Sequence, residues 1–407
     1  MKTTIFSAIM MCAVLSMSAQ TTIQWRGEDR TGIYKETGLL KSWPDGGPEL
    51  LWHYDGLGEG HSSVAIDGGK IYITGLTGET GYLYVFDMSG KLLNKKEYGS
   101  EWIESYNGSR GTVTVSDGKL YLVSGTGNLI CMDQNTLNIL WQKNIQADFG
   151  ARNIRWGITE SPLVVGDKVI FTPGGREHNV VALNKNNGSL IWSCAGGGGL
   201  SSYCSPLYVD DQGVAPQVVT MTESHILGID ISSGQLLWSY PYKNRLGIQP
   251  NTPVYDDKML LFSCGYEKGS IMLRLTDGGR AVEKVWENDE VKSRHGGMVK
   301  IGNYVYLGGD PGNNARFWWC VDWKTGEVKY KDAVLASNGV VIAADGMLYC
   351  YTERGDMALA RATPEKFDIV SKFPITMGTH QHWAHPVIHN GVLYVRHGDT
   401  LMAYRIK

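Results

Sequence analysis

The sequence predicts an all-β fold, an eight-bladed β-propeller, on three observations. Its 407 residues include 51 Gly, 21 Tyr and 13 Trp, and short Val, Ile, Leu and Tyr runs are cut by Gly, Asn and Asp, the chemistry of strands and tight turns. A unit ending in Trp recurs along the chain. The last copy of that unit is one strand short, and a lone Trp-bearing strand near the start supplies the missing piece.

From the N-terminus, MKTTIFSAIMMCAVLSMSAQ carries Lys2, an apolar run from Ile5 to Leu15, and small residues Ser16, Ser18 and Ala19. That order predicts a signal peptide over residues 1–19, and with it a protein exported to the periplasm or secreted. Cys12 follows Ile-Met-Met rather than small residues, so no lipid anchor is expected. Residues 20–47 read as an N-terminal arm, and 48–407 as one propeller domain.

The repeat is clearest in NLICMDQNTLNILW (128–141), NVVALNKNNGSLIW (179–192) and HILGIDISSGQLLW (225–238), where Asp133, Asn184 and Asp230 each precede a Trp by eight residues. FWWCVDWKTGEVKY (317–330) keeps the spacing with Tyr330 in the Trp position. Trp141, Trp192, Trp238, Trp286 and Tyr330 lie 44 to 51 residues apart, the length of one four-stranded blade. Extending that register starts the inner strands near Ser62, Gly111, Gly157, Tyr203, Thr252, Gly296, Asn338 and His385, which makes eight. The last unit, from His385, holds three strands, and PELLWHYD (48–55) is the lone outer strand that closes the ring and removes exposed sheet edges. Each repeat Trp is expected between neighbouring blades.

Charge and cysteines narrow the classes. A net charge of −3 without a basic block gives no phosphate-neutralising surface, so nucleic acid is excluded as a partner. No run past the first segment reaches the roughly 18 apolar residues that cross a bilayer. Cys131, Cys194, Cys204, Cys264, Cys320 and Cys350 contain no CxxC and no adjacent pair; they read as buried thiols, with Cys194 and Cys204 as the one candidate disulfide. GGGG at 196–199 is a blade connection and not a phosphate loop, because no helix and no Lys-Ser/Thr follows it.

The repeats resemble the pyrroloquinoline-quinone (PQQ) type propeller repeat, and QWRGEDRTGIYKETGLLKSWPDGGPELLW (24–52) resembles the leading segment of exported PQQ-like propeller proteins. RWGITESPLVVGDKVIFTPGG (155–175) and HWAHPVIHNGVLYVRHGD (382–399) are similar to stretches of the same group, so the likeness covers essentially the mature chain. It implies the fold and leaves several activities open: quinoprotein dehydrogenases, the outer-membrane assembly factor and other exported propellers share it. In the dehydrogenases the resemblance implies an adjacent Cys-Cys pair beside the quinone, with calcium ligands and a catalytic Asp. This chain has no such cysteine pair, which argues against PQQ as a cofactor.

Candidate site residues follow from the register. Loops leading into inner strands, and loops joining second to third strands, share one face, here called the top. Eight of the ten histidines fall there. Loops on a rigid scaffold are where binding and catalysis concentrate. Residues 376–399 alone hold five histidines; His380, His382 and His385 are close enough to share a divalent metal, with His61 across the blade boundary, or to brace loops instead. Arg110, Arg155 and Arg294 enter from three blades as candidate clamps for a carboxylate, or as loop braces, and Asn107 accompanies Arg110. Trp156 and Trp383 are candidates to stack on a sugar ring or flat cofactor, or to wedge between loops.

Three function classes remain at this point: a binding propeller for a small-molecule or glycan ligand, with carbohydrate leading; a quinoprotein-like oxidoreductase; and a lyase or hydrolase on acidic glycans. A scaffold for an envelope protein partner is a variant of the first. For a lyase, His295 or His382 is the candidate base, with Tyr106 beside them and the arginines on the carboxylate.

Overall fold

The structure, a computed structural model, describes residues 22–312 and 315–407. The expected signal peptide at 1–19 lies outside them. Among the described residues the chain forms eight antiparallel four-stranded sheets in ring order, and one of them carries a fifth strand. Inner strands run Ala65–Asp67, Thr114–Ser116, Leu163–Val165, Leu207–Val209, Val254–Asp256, Met298–Ile301, Gly339–Ala344 and Val387–His389, defining blades 1 to 8. Each begins just after its expected start. No helix among the described residues is long and apolar enough to cross a membrane; one short helix, Ile145–Phe149, packs between blades 2 and 3.

The repeat period becomes a blade through a local turn. Oδ1 of Asp133 accepts from the backbone N–H groups of Asn135 and Thr136 at 3.0 and 2.8 Å, and Asp230 and Asp322 do the same two and three residues on. These Asx turns fold third strand onto fourth. The Trp of each outer strand that carries one then faces the next blade. Its indole N–H donates to a carbonyl there: Trp52 to Met88, Trp141 to Lys185, Trp192 to Ile231 and Trp286 to Trp323, at 2.9 to 3.1 Å. Trp238 differs, donating at 2.7 Å to Gln217 of its own blade, whose amide passes the link to Gly279 O of blade 5 at 3.0 Å.

Burial follows the same plan. The described residues form eight buried apolar clusters, one between each neighbouring pair of blades. Around the channel the heads of the inner strands are tied by hydroxyls: Ser63 N–H to Thr112 Oγ1, Thr112 N–H to Ser161 Oγ, and Ser161 N–H to Ser205 Oγ, each within 3.0 Å. All six described cysteines are buried free thiols, Cys194 and Cys204 included.

The ring closes as expected, with Leu50–Tyr54 antiparallel to Thr400–Arg405 in blade 8. The arm has a second task that the register did not foresee. Ile23 bridges to Val115 at the lower end of blade 2, and Ile33–Tyr34 adds a parallel strand beside Ala343 and Ala344 of blade 7, so the arm crosses under the channel. Two buried guanidinium groups fix it there. Arg26 donates to Met298 O at 2.7 Å, to Val341 O and Thr31 O at 3.2 Å, and to His385 Nδ1 at 2.9 Å; Arg30 donates to Ser161 O and Pro162 O at 3.0 and 2.6 Å.

Candidate functional site

Between the arm and the top loops lies a cavity of about 350 Å³ to which every blade contributes a wall residue. Trp25 of the arm forms part of its lining. Aromatic rings dominate the wall: Tyr106, Trp156, Tyr203, Tyr266 and Trp383 come from blades 2, 3, 4, 5 and 8. Ionisable side chains on the wall beside the tyrosines include Arg110 from blade 2, Arg294 and His295 from blade 6, and Glu353 from blade 7. In an eight-bladed ring blades 2 and 6 face each other, so the two guanidinium groups approach from opposite sides.

The expected residues divide cleanly. His61, Tyr106, Arg110, Trp156, Arg294, His295, Trp383 and His385 line the cavity. Asn107, Arg155, His380 and His382 do not. Asn107 is spent on a hydrogen bond to Glu59, and exposed Arg155 lies over the Trp156 ring at 5.0 Å. The three histidines expected to share a metal do not converge, and this is a correction. His380 Nε2 pairs with Glu59 at 3.1 Å, His382 Nδ1 bonds the Tyr351 hydroxyl at 2.6 Å, and His385 is buried between Arg26 and the His295 carbonyl. Among the described residues no three His, Cys, Asp or Glu side chains are grouped to hold a metal ion. His382 as catalytic base is displaced with them: its ring stacks on His397 with centroids 3.5 Å apart, away from the cavity. Burial, helped by His397, lowers its pKa to about 4.

His385 has an assigned tautomer. Arg26 can only donate, so Nδ1 of His385 accepts, and the Nε2 proton goes to His295 O at 2.9 Å. Burial first, then the Arg26 charge, holds this ring neutral far below the usual histidine range. His385 therefore transmits the position of the arm to the loop that carries His295.

Several wall residues carry buried nitrogens without hydrogen-bond partners. Both ring nitrogens of His61 and the Nε atoms of Arg110 and Arg294 are sealed from solvent without a well-formed hydrogen bond, although the Tyr106 main chain lies close enough to His61 to favour its protonation slightly. Burial, then Arg110 and Arg396, keep the His61 imidazole neutral. Arg110 binds the carbonyls of Ser105 and Tyr106 at 3.1 and 2.5 Å, and burial lowers its pKa to about 10. Arg294 reaches Asp310 at 3.0 Å and lies over Tyr266 at 5.3 Å. Glu353, the one carboxylate in the lining, faces His295 Nε2 at 3.2 Å and accepts from Asn338 at 3.0 Å. Burial raises its pKa, but its interactions with His295, Arg316 and Asn338 together outweigh that and hold it below the ordinary carboxylate range.

Backbone strain marks the same place. Tyr106, Tyr203 and Tyr266 have φ of 51°, 75° and 58°, a left-handed conformation costly for bulky residues. All three line the cavity. Reading the top-loop polar residues finds Tyr106 but passes over Tyr203 and Tyr266, which carry no charge, and passes over Trp25 because nothing local in the arm says that it runs beneath the channel.

Comparison with known proteins places the chain. The sequence model of the family described as outer membrane protein assembly factor BamB matches residues 24–332. A quinoprotein ethanol dehydrogenase of Pseudomonas aeruginosa is 27% identical over 151 residues, which is 34% of this chain and 24% of the dehydrogenase. An uncharacterized protein of Rickettsia conorii is 25% identical over 272 residues, 61% of this chain and 59% of that one. The chain thus spans about a quarter of the dehydrogenase and under two thirds of the rickettsial protein. Among solved structures, BamB from Moraxella catarrhalis superposes with a TM-score of 0.62 at 15% identity, covering 88% of this chain and 99% of that chain. A europium-containing methanol dehydrogenase gives 0.64 at 12% identity, covering 93% and 90%. At these identities the structures share the fold.

Proposed function

We propose that this chain, which belongs to the outer membrane protein assembly factor BamB family of PQQ-type propellers, is an exported binding protein that takes an acidic carbohydrate into its top cavity. The observation that carries this reading is the wall chemistry: aromatic faces on several sides, with Arg110 and Arg294 approaching from opposite sides. Sugar rings lay their C–H faces on aromatic rings, and a carboxylate supplies the acceptors that guanidinium forks need. A ligand bringing both features meets both kinds of wall residue, the aromatic rings and the two arginines.

The quinone named for the dehydrogenase relatives fits this cavity poorly. No cysteine belongs to the lining, and Glu353, its single carboxylate, is already engaged by His295 and Asn338. No redox step is derived through it.

Titration calorimetry with uronic-acid oligosaccharides and their neutral counterparts tests the reading. The acidic ligands should bind, and Arg110→Ala or Arg294→Ala should each weaken them by about tenfold or more, since 1.4 kcal/mol is one decade. Equal binding of neutral sugars, with affinity unmoved in both arginine variants, would sink it.

A second reading, a scaffold for an envelope protein, draws support from the family match and from aliphatic pairs exposed at the start of outer strands: Leu50 and Leu51, Ile139 and Leu140, Leu190 and Ile191, each 36–47% exposed. Its check is site-specific crosslinking from Leu140 and Leu190 in cells, which should trap one defined envelope protein.

A further inference from the structure

We infer that the cavity also acts on what it binds: His295, oriented by Glu353, removes the proton next to the carboxylate of a bound uronide and cleaves the chain by β-elimination. This rests on the acidic-carbohydrate reading and deepens it. The inventory of the wall decides between reaction classes. Hydrolysis of a glycosidic bond ordinarily uses two carboxyl groups flanking it, about 5–10 Å apart. This wall has one carboxylate, Glu353, and it is turned onto His295. A histidine held by a carboxylate is instead the arrangement of a general base.

The geometry supplies the roles. Glu353 Oε1 accepts a hydrogen bond from His295 Nε2–H at 3.2 Å, which leaves the lone pair on Nδ1. Asn338 holds the same carboxylate oxygen at 3.0 Å. The His295 main chain is pinned from the other side by His385, itself fixed by Arg26 of the arm. The ring meets Trp383 edge-on with centroids 5.1 Å apart, and Tyr106 meets the same indole at 5.0 Å from blade 2. Arg294, the residue before the base, and Arg110, opposite, neutralise the carboxylate, so the carbon beside it becomes acidic enough for an imidazole.

The electrons and protons balance without a co-reactant. His295 Nδ1 takes the C5 proton, the C–H pair becomes the C4–C5 double bond, and the C4–O bond to the neighbouring sugar breaks. The departing oxygen takes a proton from the Tyr106 hydroxyl, which recovers it from the His295 imidazolium through solvent. His295 and Tyr106 are the catalytic residues; Glu353, Asn338 and His385 position them.

The test incubates the full chain with oligogalacturonate, oligoglucuronate and oligoalginate, following ultraviolet absorbance of the conjugated double bond and product mass, which elimination leaves without added water. Wild type should form unsaturated product from at least one of them. His295→Gln should lower kcat by about 100-fold or more while calorimetric binding is retained, and Glu353→Gln should lower kcat and move the pH profile of kcat. Melting curves identify a variant that fails to fold, and Tyr106→Phe, at an exposed loop position, then provides the second reading of kcat. Binding of these oligouronides without unsaturated product, or a His295→Gln enzyme of unchanged kcat, overturns the elimination and leaves the binding reading standing. Absence of binding removes both.

Discussion

Glu160 heads the blade 3 inner strand with one carboxylate oxygen accepting from Thr172 N–H at 3.1 Å and the other sealed without a partner. Burial raises its pKa to about 8, against the opposing pull of Thr172 and Arg30. The unfolded chain holds a Glu near its ordinary value of about 4.3, so between that pH and about 8 the folded state binds the extra proton. Stability from this group is therefore fully present in mild acid and is lost as pH rises through the window. Glu101, raised to about 7 by burial, acts in the same direction over a narrower span. Glu160→Gln keeps an acceptor for Thr172 and cannot ionise. Its melting temperature should fall less than that of wild type between pH 5 and pH 9, by an amount worth a few kcal/mol at most, at 1.36 kcal/mol per unit of pKa shift. Parallel pH–melting curves for the two proteins would remove this account of Glu160.

At the scale of the element, the blade is what local physics writes most plainly. The Asx turn, the glycine after it and the Trp eight residues from the Asp are neighbours in sequence, and their interactions repeat wherever the pattern does. Gly234, at φ +75°, shows where the turn tolerates no side chain: a Cβ there would stand 2.7 Å from the Trp192 ring of the preceding blade, whereas Leu137 takes the same place at φ 57° in blade 2. Gly234→Ala should thus destabilise the protein by about 1–3 kcal/mol, through both the left-handed backbone and the displaced indole, and tryptophan fluorescence should report the shift. An unmoved denaturation midpoint would contradict it. The site was legible only in part, for the opposite reason. Its top-face location and eight of its residues follow from the register, because loops inherit the ring. Which side chains turn inward does not. His380, His382 and His385 are close in sequence, yet His380 sits at φ +66° and the three rings leave the loop toward Glu59, Tyr351 and Arg26. Trp25 reaches the cavity because Arg26 finds carbonyls at Met298 and Val341, hundreds of residues along the chain, a contact no local pattern announces.

For the whole molecule the decisive feature is closure. Seven blades are made of consecutive strands, but blade 8 borrows Leu50–Tyr54 from the other end of the domain. Trp52 secures that strand, donating to Met88 O at 3.1 Å and packing against the turn at Gly90 of blade 1. It is thus the counterpart of Trp192, which donates to Ile231 O at 2.9 Å between blades 3 and 4. Both indoles do the same local work, and truncating either to Ala should lower stability by up to about 3–5 kcal/mol. Their global consequences differ. Without Trp192 the outer strand of blade 3 is still held by its short hairpin to Val180–Asn184. Without Trp52 the borrowed strand keeps its ladder to Thr400–Arg405 and the packing of Tyr54 on Phe86 but has no hairpin to hold it, and when it leaves it exposes an unpaired edge with Leu401 and Ala403 behind it. An open edge is a template for another chain. Trp52→Ala should therefore associate in a concentration-dependent way under mild heating, seen by light scattering, whereas Trp192→Ala loses stability without that rise in scattering. Identical scattering from the two variants would mean that the ring does not depend on this strand for its closure.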